Sequence, residues 1–160
     1  MRSRVVAIFA IVSIPVLLIG LLGILWSGHS RVDDRQDERT AFIQAARQAV
    51  LNLTTISADS VESDVERLRA STTGAFLDDF DTRVDAFTSV VKQSSVTTTG
   101  EIIAVGIESI DGDVARLLVR AQSKVTNASG AESEDRNWRL RVTMSRSENR
   151  ILMSGVDFVA

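Results

Sequence analysis

The carboxylates best placed for acid–base work are Asp78, Asp79, Asp81 and Asp157, which lie on or beside apolar segments. A general acid or base must reach the reacting group from within a pocket. Asp78, Asp79 and Asp81 surround Phe80 on a segment whose other face is apolar, so they read as the solvated side of a helix. Asp157 alternates with Phe158 and falls on the opposite face of its strand. The later part of the chain offers no histidine or tyrosine to orient a substrate. One histidine, His29, is too few for a His-pair or His-triad metal site. With no cysteine there is no disulfide, thiolate zinc site or cysteine nucleophile. Glycine-rich phosphate loops, EF-hand loops and HExxH are all missing. The expectation is a non-enzyme, without catalytic residues, cofactor or metal.

Two polar patterns remain. Arg116, Arg120, Arg139 and Arg141 alternate along strand-like segments and would form a positive stripe on one sheet face. Such a stripe suits an acidic partner or lipid headgroups. Ordinary solvent-facing charge is the simpler reading. Asn52-Leu53-Thr54 and Asn127-Ala128-Ser129 fit the glycosylation sequon, which matters only in a eukaryotic secretory host. The pI near 5.2 and net charge of −3 argue against nucleic acid as a partner.

These residues need elements to carry them. The 160 residues are 44% hydrophobic and 24% charged, ordinary for a folded chain and enough for one domain. From Val32 to Ile56 the apolar positions Phe42, Ala45, Ala46, Ala49, Val50, Leu53 and Ile56 repeat at helical spacing. Asp59 or Ser60 caps a second helix that ends near Ala70. A third helix runs from Ala75 to Lys92, with Phe76, Phe80, Val84, Phe87 and Val91 on one stripe. After Gln93 the period becomes two. Ile103, Val105 and Ile107 mark one strand, and Asp111-Gly112 a turn. Ala115, Leu117, Val119 and Ala121 mark the next, and Trp138, Leu140, Val142 and Met144 a third. In the last, Leu152, Val156 and Phe158 should face the core. The expected fold class is α+β: three helices packed on a curved four-stranded antiparallel sheet, forming a cone.

The N-terminus differs in kind. Val5 to Trp26 holds no charged residue, 22 positions in all. At about 1.5 Å per residue, such a helix crosses a hydrocarbon core of roughly 30 Å. The run is too long for a signal-peptide core and exits through a poor cleavage site, so an uncleaved anchor is expected. Arg2 and Arg4 precede it, while four acids offset three arginines between Arg31 and Arg39. The positive flank places the N-terminus in the cytoplasm and the rest outside it. Trp26 suits the headgroup region at the exit. Ser13, Gly20, Gly23 and Ser27 share one helical stripe, a candidate packing face for another membrane helix. The expected division is a cytoplasmic N-terminus 1–4, an anchor 5–26, a stalk 27–40 and an extracytoplasmic domain 41–160.

The combination resembles the Mce-associated membrane proteins of actinobacteria. The resemblance rests on Ser71-Thr72-Thr73-Gly74-Ala75-Phe76, Gly112-Asp113-Val114-Ala115, Trp138 to Met144, and Gly155-Val156-Asp157-Phe158-Val159. It implies an NTF2-like, cystatin-like cone, similar in architecture to the ectodomain of the secretion component VirB8. It also implies a non-catalytic accessory role beside Mce transporter subunits, which move lipids or sterols across the envelope. Two alternatives stay open: a VirB8-like secretion-channel subunit, and a lipid-binding module. In the second, Phe76, Phe80, Phe87, Trp138 and Met144 would line the cone interior.

Overall fold

The computed structural model describes residues 35–128, 130 and 132–159. The chain divides into residues 1–39 and residues 40–160, and the second unit carries the sheet. Among the described residues no helix is long and apolar enough to cross a membrane. The expected anchor, with Arg2, Arg4, Ser13, Gly20, Gly23, Trp26 and Ser27, lies outside them, as does His29.

Helix α1 covers 35–54. Phe42, Ala46, Ala49 and Val50 are buried at offsets of four, seven and eight, the spacing of a single helical face. Helix α2 (Val61–Ala70) buries Val61, Asp64, Val65 and Leu68. Its first residue follows Ser60, whose side chain makes no capping bond. Instead the Ser60 hydroxyl donates to Asp64 at 3.0 Å, and the Ser57 amide donates to the same carboxylate at 2.8 Å. Arg67 closes on Asp64 at 2.9 Å, so this buried carboxylate is fully engaged. Helix α3 (Gly74–Gln93) opens on Gly74 at φ +58°, a conformation glycine adopts without steric cost.

The sheet is a five-stranded antiparallel meander in the order β1 to β5. Its members are β1 (Ile56–Ser57), β2 (Thr97–Asp111), β3 (Val114–Thr126), β4 (Glu134–Ser147) and β5 (Arg150–Phe158). The expectation of four strands is corrected by β1. Two residues are too short to show a period, and β1 exists only because it pairs with Thr97 and Thr98. Asp111 pairs with Val114, so Gly112 and Asp113 form a two-residue hairpin loop, with Gly112 at φ +54°. The connection between α2 and α3 is pinned to β5: the Thr73 amide donates to the Met153 carbonyl, and the Met153 amide to the Ser71 carbonyl, both at 2.9 Å.

The inner face of β3 follows its sequence pattern closely. Ala115, Leu117, Val119 and Ala121 are all buried, as are Leu140, Val142 and Met144 opposite them on β4. Bulges change the pattern elsewhere. The β2–β3 register shifts between Ile102 and Ala104 and again between Ile107 and Ser109. The first shift turns Ile102 inward and leaves Ile103, expected inside, exposed. A third shift on the β4–β5 pair puts Met153 opposite Met144 and Leu152 opposite Ser145. Met153 therefore fills the core position that strict alternation assigns to Leu152. Phe158 is corrected as well. It pairs with Leu140 on the inner side, but the strand ends there and the ring is 74% exposed.

Candidate functional site

The main core joins α1, α2 and strands β3 to β5 through Phe42, Val50, Leu68, Leu117, Leu140, Met144 and Met153. The stripe of α3 behaves differently. Phe76, Phe80 and Phe87 are only partly buried and pack at the margins of the buried clusters. Between them and the sheet lies a cavity of about 630 Å³. Phe76, Phe80, Phe87 and Val91 form its α3 wall. Val96, Thr98, Val125, Trp138, Leu140 and Val156 form the sheet wall, and Leu53, Thr54 and Leu68 close the end beneath α1 and α2.

The walls offer few polar groups. The Thr54 hydroxyl donates to the Val50 carbonyl at 2.8 Å, within its own helix. The Trp138 indole N–H donates to the buried Ser123 hydroxyl at 2.8 Å, which fixes the ring plane. Gly100 on β2 lets the strand pass under the end of α1: a Cβ there would stand 2.1 Å from the Thr54 hydroxyl oxygen. Charge appears in Asp79, Arg83 and Arg136, with Arg83 bound to Asp79 at 2.8 Å. Phe158 lies beside Trp138, ring centroids 6.0 Å apart and tilted by 42°.

Of the interior residues expected from sequence, Phe76, Phe80, Phe87 and Trp138 share this cavity. Met144 does not line it; it is fully buried in the core among Ala115 and Met153. Phe158 and Val156 belong to the cavity although the sequence pattern assigned them to a filled core. A signal for Phe158 was its place at the end of the strand, where nothing remains to cover an inward ring. Of the acids around Phe80, Asp78 and Asp81 are exposed and outside the lining, while Asp79 stands at the cavity rim. Asp81 takes an ion pair from Arg69 at 2.8 Å, linking α2 to α3. Lys92 and Glu62 form a second such link.

The outer sheet face carries the arginines. Arg141 grips Glu108 with two hydrogen bonds of 2.9 Å, Glu108 being carried out by the second β2 bulge. Those bonds hold the Glu108 carboxyl below the usual carboxylate range, against the opposing effect of desolvation, and raise the Arg141 guanidinium. Arg120 stands directly opposite Arg139. Like charges in that position repel. Among the described residues neither has an ion-pair partner. Leu118 and Ile103 are exposed on the same side, at 43% and 45%.

The family described as "Uncharacterized protein Rv1363c/MT1408-like" matches residues 2–160. Over 158 residues the chain is 40% identical to "Uncharacterized protein Rv1363c" of Mycobacterium tuberculosis, covering 99% of this chain. The chain spans 60% of that relative's length. Among solved structures it is similar to the periplasmic domain of DotI, with a TM-score of 0.62, 16% identity, and coverage of 74% of this chain and 92% of that one. An IcmL-like type IV secretion system protein of Legionella pneumophila gives a TM-score of 0.61 at 8% identity, covering 76% and 91%. VirB8 of Agrobacterium tumefaciens gives 0.53 at 8%, covering 78% and 96%. At such identities what is shared is the fold, an α+β NTF2-like domain, here with three helices and five antiparallel strands.

Proposed function

The chain belongs to the Rv1363c/MT1408-like family, and from that premise we propose that it is a non-catalytic assembly subunit of a multi-protein complex in the cell envelope. The observation that carries this reading is the outer sheet face. Arg120 and Arg139 oppose each other with no ion-pair partner among the described residues, beside exposed Leu118 and Ile103. Arginine beside exposed apolar side chains is a composition enriched at protein interfaces. An acidic surface on a partner subunit would relieve the repulsion.

In this reading Val5–Trp26 anchors the chain in the inner or plasma membrane, with Arg2 and Arg4 on the cytoplasmic side. The stripe Ser13, Gly20, Gly23 and Ser27 packs against a partner's membrane helix. The domain then stands outside the cytoplasm and stabilises an Mce-type lipid or sterol import complex. The second reading is a VirB8-like subunit of a secretion channel. It is favoured by the fold shared with DotI, the IcmL-like protein and VirB8.

The test is a mild-detergent pull-down of the tagged full-length chain, with mass spectrometry of the proteins that co-purify. Recovery of Mce substrate-binding, permease or ATPase subunits supports the first reading. Recovery of secretion-channel subunits supports the second. The paired change Arg120→Glu and Arg139→Glu should reduce recovery at least tenfold, about 1.4 kcal/mol of lost contact. Undiminished recovery would remove the outer face from the proposal.

A further inference from the structure

We propose that the cavity beneath α3 binds the alkyl chain of a single-chain amphiphile. Protein interiors leave few voids larger than a water molecule. A space of about 630 Å³ belongs instead with ligand sites, which run from about 300 to 1,000 Å³. The pocket opens to solvent, and water inside it finds few partners on the walls, since the Thr54 hydroxyl and the Trp138 N–H are already engaged within the protein.

The same economy of polar groups selects the ligand class. A site for a polar or heterocyclic ligand places a few convergent donors and acceptors to fix its orientation. Apart from Thr54, Thr98, Asn127 and the charged rim, these walls present phenylalanine, indole, leucine, isoleucine and valine, which can pack but not orient. An alkyl chain asks for nothing more. The charged groups at the rim already have partners, Arg83 in Asp79 at 2.8 Å and Arg136 in Glu134 at 4.0 Å. The head group therefore stays at the solvent-facing mouth while the chain lies against Phe80 and Trp138. Phe158, 74% exposed beside Trp138, adds apolar surface that a bound chain would cover. This inference stands apart from the assembly reading: either can fail without the other.

The experiment uses the full-length chain and a palmitate bearing a diazirine, crosslinked by light and mapped by mass spectrometry. Labels should concentrate on the stretches 76–91 and 138–156. Excess unlabelled palmitate should suppress them roughly tenfold. Val156→Trp and Val96→Phe, each filling the cavity from a different side, should suppress them to a similar degree. Val114→Trp, exposed at the start of β3 and outside the lining, should leave them unchanged. Scattered labelling, labelling insensitive to unlabelled palmitate, or competition by a sterol in place of palmitate would overturn the proposal. If both filling variants misfold, the competition arm on the natural chain decides alone.

Discussion

Two helices lie on one side of the same sheet and produce opposite interiors. Helix α1 presents Ala46 and Ala49 between Phe42 and Val50, and all four are essentially inaccessible. Helix α3 presents Phe76, Phe80 and Phe87, and none of the three is fully buried. The reason lies in side-chain size. Alanine lets a helix backbone settle close to the strands, so the remaining gap fills at crystal-like density. Three phenylalanines along one face hold a helix away from the strands. The sheet opposite sets Thr98, Val125 and Val156 beside Trp138 and Leu140, and the small members of that set leave space unfilled. A closed core and an open cavity therefore follow from which helix carries the small residues.

The largest test of this contrast compares two deletions of the same ring. Phe42→Ala should cost about 3–5 kcal/mol, because the ring is fully enclosed and Arg146 stacks over it at 5.1 Å. Phe87→Ala, facing existing space, should cost roughly 1 kcal/mol. Guanidinium unfolding of the two variants measures both. Equal losses would mean that the two regions are packed alike.

The reverse substitution probes the same difference from the other side. Ala46→Leu should destabilise by about 1–3 kcal/mol, since no space receives the added atoms. Val156→Leu, whose side chain extends into the cavity, should change stability by less than about 0.5 kcal/mol. Thermal unfolding of both variants reads the difference. A comparable penalty at both sites would show that the cavity closes up in solution.

The smallest effect concerns what keeps α3 in place. It is tied to α2 by Arg69–Asp81 and Lys92–Glu62. The hydrogen bond from Lys92 holds the Glu62 carboxyl below its ordinary value. A carboxyl depressed in the folded state contributes its stability above the unfolded carboxylate range and loses it as pH falls through the lowered value. Acidification should thus raise hydrogen exchange in α3 before it does so in α1. Glu62→Gln should raise hydrogen exchange in α3 already at neutral pH and blunt its further rise on acidification. The pair is exposed, so solvent screening keeps the effect modest. Simultaneous loosening of both helices would deny α3 its separate stability.

Much of this was legible in the chain. The helical stripes on α1, α2 and α3 and the alternation of β3 and β4 pointed to the α+β class, because burial on one face leaves a period that local sequence must carry. Phe76, Phe80, Phe87 and Trp138 could be grouped for the same reason. Distances between faces were not legible. Whether a phenylalanine stripe is filled or left standing over a void depends on the side chains opposite, and Val125, Trp138 and Val156 come from strands far along the chain.

The other departures share that origin. The strand β1 exists only through its partner. The bulges on β2 and β5 exchange Ile102 for Ile103 and Met153 for Leu152 at the core, and a bulge leaves no trace in a period-two pattern until a register is chosen. Met144 and Trp138 share the inner face of one strand, yet one is sealed in the core and the other borders the cavity. Away from the bulges, residue order dictates which faces of these helices and strands turn inward. How far apart those faces stand is set in the assembled fold, because that distance is a sum over side chains that meet only after the chain has folded.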